Sequence, residues 1–459
     1  MAPMKNALAY AGEHRETALD MLLSFLRIPS ISTLPENKND IQHAAEWLAE
    51  QLTQLDFQDV QILPTSGHPV VFGQRTATDP EAPTLLVYGH YDVQPPDPLD
   101  EWESDPFEPT ERGDNLYARG ASDMKAQLVA HMNAIKAILA SGDLPVNIKY
   151  MLEGEEEVGS PNLRAFMTEH KDLLACDLCL NVDLGISGPD EPSITYALRG
   201  LIYFEINLRS AVSDLHSGLF GGAVDNPAIV LSRLIAGMKD ADGTITLPGF
   251  YDDVRPLDAA EREKKSPRDD TWWLERTGTR ILFGEPGYTA EERATARPTL
   301  DVNGFLSGFT GEGAKTVLPA TAMAKISMRL VADQDPEAIH ESMQRYLEEN
   351  APESVEWTLK SLSSCRPSFV ERDSTGVQAG VQALEEIWDA PVEFVRMGGS
   401  IPVVGLIQEI LGVDSVLLGF ALPDDNIHAP NEKQHLPTFY RGIDAYIRFT
   451  YHLADMYKV

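Results

Sequence analysis

Apolar positions recur along this chain at two periods. Over 14–27, Ala18, Met21, Leu22, Phe25 and Leu26 fall three or four apart, which predicts a helix stopping before Pro29. Ile41, Ala44, Ala45, Leu48 and Leu52 repeat that spacing and predict a second helix over 41–55, with Asn39 or Asp40 as its cap. Short apolar runs near 60–63, 70–73 and 85–88 have strand length. Leu85, Leu86, Val87 and Tyr88 read as a buried strand ending at Gly89, where the backbone can turn without a side chain in the way. A polar loop over 102–114 follows, then a long helix to about 139. Next come a strand over 147–152, a helix to about 174 and a strand over 178–182. Strand, loop and helix in alternation predict an α/β fold with a largely parallel sheet and helices on both faces.

The texture changes after Arg199-Gly200. Residues 203–208 and 324–331 alternate strictly. In the second of these, Ile326, Met328 and Leu330 take one face and Lys325, Ser327 and Arg329 the other. Helices from about 227 and over 336–349, a strand over 355–359 and the loop-rich 240–312 read as a smaller α+β unit over 200–367. From about 374 the α/β texture returns, with helices over 374–388 and 402–411, strands over 392–395 and 416–418, and a closing helix. Residues 1–199 and 368–459 would then form one discontinuous domain carrying 200–367 as an insertion.

Charge narrows the partners. Acidic residues outnumber basic ones 71 to 37, giving a net charge of −34. Phosphate backbones and anionic membranes need basic surface, so neither nucleic acid nor a membrane is expected as partner. No apolar run approaches the ~20 residues that span a bilayer. The first twenty residues carry acids early and lack the apolar core of a secretory signal, so a cytoplasmic location is expected. Cys176, Cys179 and Cys365 suggest no disulfide framework and default to small buried residues.

Candidate chemistry gathers where strands end. His90 and Asp92, then Asp123, the run Glu155 to Glu157, Asp183 and His428 all fall at strand-to-loop junctions of the two outer segments. In an open sheet, that is the mouth of the usual ligand crevice. Singly, each has a plain reading. The glutamate run could be a solvated face, Asp123 an N-cap, Asp183 a turn residue, and His428 a loop residue. Together they form a nitrogen and oxygen set without cysteine, which suits zinc, manganese or cobalt. Two histidines and three carboxylates exceed the three protein ligands usual for one catalytic zinc. They suit two ions ~3.5–4 Å apart that share a bridging carboxylate and water.

Eight ordered motifs then resemble one family: Gly89-His90-Tyr91-Asp92-Val93, Arg119-Gly120-Ala121-Ser122-Asp123-Met124-Lys125, Glu153-Gly154-Glu155-Glu156-Glu157-Val158-Gly159-Ser160, Asp214-Leu215-His216-Ser217-Gly218, Gly249-Phe250-Tyr251-Asp252-Asp253-Val254, Lys315-Thr316-Val317-Leu318-Pro319, Gly398-Gly399-Ser400-Ile401-Pro402 and His428-Ala429-Pro430-Asn431-Glu432. The chain is similar over nearly its whole length to the two-metal aminoacylase, carboxypeptidase and carnosine-type dipeptidase family of metallopeptidases. It looks closest to the dipeptidase branch. The resemblance implies an aminopeptidase-like catalytic domain with an inserted lid and dimerisation domain, hence a homodimer. It implies two divalent ions per subunit, zinc first and manganese or cobalt next. Asp123 would bridge them, with His90 and Asp183 on one ion and Glu157 and His428 on the other. Asp92 would hold the His90 ring, Glu156 would be the general base, and Glu155 a bystander. His216 would act in the partner subunit's site as an oxyanion donor. Arg329, Thr316 and Ser400 would bind the carboxylate of a small peptide substrate.

Two departures accompany the resemblance. The family often carries a second Asp and a Gly beside the bridging Asp, where this chain has Met124 and Ala126. The peptide after that Asp tends to be cis in the family. Three functions are compatible: a dipeptidase, an N-acyl amino acid deacylase or glutamate-type carboxypeptidase with the same metal core, and a non-catalytic peptide-binding relative. The last is expected to lack a ligand or the base, and this chain keeps all six candidates.

Overall fold

Leu85, Leu86, Val87 and Tyr88 are fully buried, in a strand Thr84–His90 at the centre of a sheet. Asn147–Glu153 and Leu178–Asn181 pair with it in parallel on either side, and Ser415–Leu417 runs parallel to Leu178–Asn181. Val70–Arg75 and then Gln58–Leu63 extend the other side antiparallel. A parallel strand covered on both faces has no polar side to show, which is why its sequence is a continuous apolar run. The structure, a computed structural model, describes residues 2–263 and 268–458. It divides into two units: Met1–Tyr196, Val370–Val395 and Leu406–Val459 form the first, and Ala197–Phe369 with Arg396–Gly405 the second.

In the first unit the helix Ala126–Ser141 is buried nearly all round, between the sheet and the helices Ala2–Glu13 and Leu436–Met456. That matches its apolar composition on every side. The helix Ala2–Glu13 has no expected counterpart, because its one fully buried side chain, Ala7, leaves no apolar stripe to read. The second expected helix starts at Lys38, ahead of its proposed caps. The Asn37 side chain donates to Asp40 instead (2.9 Å). Gly89 stands inside the strand rather than at a turn. A Cβ there would lie 2.8 Å from Met124 Cε, so close packing excludes a side chain. Part of 102–114 is also not loop. Thr110–Arg112, Asn115–Tyr117 and the distant Lys433–His435 form a small antiparallel sheet. The expected helix over 402–411 is a short helix Pro402–Leu406 followed by a wider turn over Ile407–Leu411.

The second unit carries a four-stranded antiparallel sheet in the order Thr299–Ser307, Thr321–Leu330, Gly200–Arg209, Glu356–Cys365. Its buried face holds Ile202, Phe204, Ile206, Ile326 and Met328, packed with Val230, Leu231 and Leu234 of helix Pro227–Gly237 and Ile339, Met343 and Leu347 of helix Pro336–Asn350. The edge strand Thr299–Ser307 lies in a stretch whose composition suggests loops. Val302, Phe305 and Leu306 are exposed there, so burial leaves no alternation to detect. Residues 396–405 group with this unit, not with the outer segments as the sequence boundary has it. Arg396 pairs with Glu261, Arg199 Nε donates to the Gly398 carbonyl (2.9 Å), and Arg329 Nη1 to Ser400 Oγ (2.7 Å). Among the described residues, no helix is long and apolar enough to cross a membrane.

Candidate metal centre

Four loops leave the C-terminal ends of the parallel strands and meet there. His90 is the last residue of its strand. Asn147–Glu153 runs into Glu156 and Glu157, Leu178–Asn181 into Asp183, and Ser415–Leu417 into the loop carrying His428. The fifth contributor, Asp123, comes from the loop after Asn115–Tyr117. His90 Nε2 lies 3.1 Å from Asp123 Oδ1 and 3.7 Å from Asp183 Oδ2. His428 Nε2 lies 3.0 Å from Asp123 Oδ2 and 3.2 Å from Glu157 Oε2. Two ligand groups result, His90–Asp123–Asp183 and Asp123–Glu157–His428, each with its donor atoms within 4.8 Å of one another. Asp123 belongs to both and offers one oxygen to each.

The electrostatics favour cations. Burial alone would lower the His90 pKa, but its hydrogen bonds to Asp123 and Asp92 win and hold it well above the usual histidine value. Hydrogen bonds to Asp123 and Glu157 raise His428 to about 10. Burial would raise Asp123, yet the two histidines pull it below the normal carboxylate range. Burial lifts Asp183 to about 7, opposed by His90 and assisted by Asp123. A cluster that favours positive charge on its histidines also favours divalent cations between them. With two nitrogens, three carboxylates and no thiolate, the residues fit a two-metal site.

Residues 86–452 match the profile of peptidase family M20/M25/M40. The chain belongs to that family. It is 31% identical over 453 residues to the Cys-Gly metallodipeptidase dug1 of Schizosaccharomyces pombe, covering 94% of each protein. It is 30% identical over 485 residues to the human Beta-Ala-His dipeptidase, covering 99% of this chain and 94% of the relative. Among solved structures it resembles an M20 family metallo-carboxypeptidase from Sulfolobus solfataricus, with a TM-score of 0.81, 34% identity, and coverage of 95% of this chain and 99% of that one. The mixed α/β fold is that of this family, and the protein is a metal-dependent peptidase of its dipeptidase branch.

The residues around the ligands carry more duties than their spacing suggests. Asp92 faces His90 Nδ1 at 3.5 Å, while its own main-chain carbonyl stands nearer, at 3.1 Å. Its carboxylate oxygens also accept from the Glu156 and Glu157 main-chain N–H groups (3.2 and 3.1 Å). Asp92 therefore holds the turn that carries both glutamates. Glu155 is buried, and both its oxygens accept from Asn162 Nδ2 (3.1 and 2.9 Å). Burial pushes Glu156 up to about 8; His90 opposes this, and Asp183 and Glu157 add to it.

Further supports had no sequence signal. Gln94 Nε2 donates to Glu157 Oε2 (2.9 Å), and Asn181 Oδ1 accepts from the Asp183 N–H (2.8 Å). Met124 is fully buried, with its sulfur 3.1 Å from the His90 main-chain nitrogen, so apolar packing stands behind the candidate ligands. The Asp123–Met124 peptide is cis.

Within the second unit, Arg329 and Ser400 are hydrogen-bonded to each other. His216 is exposed, in a two-residue strand Leu215–His216 paired with Val317–Leu318. Its Nδ1 accepts from Gly218 N (3.0 Å), and Thr316 is tied to the same turn through its carbonyl (Ser217 N, 3.1 Å).

Proposed function

We propose that this protein is a two-metal dipeptidase, cleaving the peptide bond of dipeptides or small peptides with a free C-terminal carboxylate. The observation that carries the reading is Asp123, one carboxylate divided between two three-residue ligand groups. His90 and Asp183 would complete one site and Glu157 and His428 the other, with zinc the first choice and manganese or cobalt next. Bound there, divalent ions would polarise the substrate carbonyl and bring the pKa of water towards ~7. Glu156 belongs to neither ligand group, so its carboxylate is free to take a proton from water and pass it to the leaving amine. Asp92 keeps Glu156 in register with the ligands by holding its main chain.

Arg329, positioned by Ser400, would take the substrate carboxylate with its planar fork, and Thr316 would assist. We assign to the second unit a homodimer contact through which His216 serves the partner's site as an oxyanion donor. Its exposed ring, held by Gly218 at Nδ1, leaves Nε2 to donate. His216→Ala should lose most of kcat, by about 10²–10³-fold as for other oxyanion donors, and stay dimeric on a sizing column. Full activity would sink the assignment.

A second reading, a carboxypeptidase of longer chains, is favoured by the likeness to the Sulfolobus enzyme. One panel separates them: Xaa-Gly, Gly-Xaa and β-Ala-His dipeptides, longer peptides and N-acetyl amino acids, with and without chelator. Dipeptides should be cleaved and chelator should stop it. Turnover confined to longer peptides or N-acetyl amino acids would select the other reading, and chelator-resistant turnover would remove the metal mechanism.

A further inference from the structure

Two residues of the motifs, Arg119 and Glu432, have no part in the chemistry above, yet they are among the most buried charges in the protein. Glu432 is fully buried and Arg119 is 1% exposed. Every side of the Glu432 carboxylate is occupied. Oε1 accepts from the main-chain N–H of Ser122 (2.9 Å) and Asp123 (3.0 Å). Oε2 accepts from Arg119 Nη1 (2.7 Å) and Gly120 N (3.0 Å). Its main-chain carbonyl accepts from Ala118 N (3.1 Å). One side chain thus gathers the loop 118–123, which carries the shared Asp123.

Glu432 ends the loop that carries His428, and its neighbour Lys433 closes that loop. Lys433 N donates to the Asp425 carbonyl (3.0 Å) and Ala429 N to the Asn426 carbonyl (2.9 Å). Asn426, His428 and Asn431 hold positive φ (54°, 62° and 60°) within this turn. Ser122 Oγ adds a bond to Asp425 Oδ2 (2.7 Å) across the same pair of loops. Asp123 is therefore gripped at its nitrogen by Glu432, while its Oδ2 faces His428 four residues before Glu432. The His428 side chain is half exposed, and its ring meets Asp123 and Glu157.

We infer that Glu432 is a positioning residue that holds the Asp123 loop in register with His428, and so supports both ligand groups, which share Asp123. The inference rests on the two-metal reading. A carboxylate suits the task because all four groups it meets are donors. An amide would turn its NH₂ towards two of them.

The test is calorimetric titration of the metal-stripped, full-length protein with Zn²⁺ and separately Mn²⁺, for wild type, Glu432→Gln and Glu432→Asp. The last keeps the charge opposite Arg119 but is one methylene too short to reach all four donors. Wild type should bind two ions. Each variant should bind both ions about 10–100-fold more weakly, the usual effect of losing a group that orients ligands. Activity should fall through kcat with little change in KM, and return in part as metal is raised. Unchanged binding of both ions, weakening of one ion alone, or failure of both variants to fold would overturn the inference. A wild type that binds one ion or none would instead overturn the two-metal reading itself, with Glu432 variants indistinguishable from it.

Discussion

Replacing Glu156 with alanine should reduce kcat by about 10²–10⁴-fold, the range general acid–base groups contribute, while the protein still binds its full complement of metal. The two halves of that result come from different facts. Glu156 is absent from both ligand groups, so nothing that holds an ion is removed. Burial pushes its carboxyl to about 8, close to neutral, where a proton can be both accepted and returned. The adjacent Glu157 has the opposite profile. It lies 3.2 Å from His428 and belongs to a ligand group, so its loss should remove metal first. Atomic-emission metal content measured beside kcat separates the two. A Glu156→Ala enzyme of near-normal rate would place the base elsewhere, and one that loses metal would make Glu156 a ligand.

Asp123→Asn should be the most damaging change at any ligand. An amide presents one acceptor oxygen where the carboxylate presents two, and Asp123 uses both: Oδ1 towards His90 at 3.1 Å and Oδ2 towards His428 at 3.0 Å. Both ions should weaken together, and activity should fall by more than the ~10–100-fold typical of a merely supporting residue. Asp183→Asn makes the contrast, since Asp183 belongs to one group and its loss should weaken one ion. Identical titrations for the two variants would rule out a shared carboxylate. The fold should survive Asp123→Asn because Glu432 holds the Asp123 main-chain nitrogen, which the substitution keeps.

The central strand shows why part of this protein is readable from its sequence. Leu85 to Tyr88 are buried on both faces, so an unbroken apolar run is the only composition that fits. The strand Thr321–Leu330 is buried on one face, and its alternation is equally plain. Where burial does not select residues, the signal fails. The edge strand Thr299–Ser307 exposes apolar and polar groups alike, and the helix Ala2–Glu13 buries little. Asn115–Tyr117 and Lys433–His435 are three residues each, and their pairing spans more than three hundred positions of chain. No local pattern can announce such a partner.

The site divides along the same line. Metal-binding chemistry is written into residue types, and a strand end is a local feature, so His90, Asp123, Glu157, Asp183 and His428 could each be singled out from the chain alone. Their meeting, and the division of Asp123 between two groups, depend on bringing 90, 123, 157, 183 and 428 within a few ångströms of one another. The supports were invisible for a related reason. Gln94, Asn162, Asn181 and Glu432 act through hydrogen bonds to main-chain groups or to other side chains, and any polar residue type can serve until the partner's position is known. Gly89 illustrates the limit most simply. Its sequence position suggested a turn, but Met124, thirty-five residues on, requires the missing side chain. Local composition therefore determined the elements and the inventory of reactive groups. Only the packing of distant segments decided which carboxylate is shared, which turn Asp92 holds, and which loop Glu432 keeps in place.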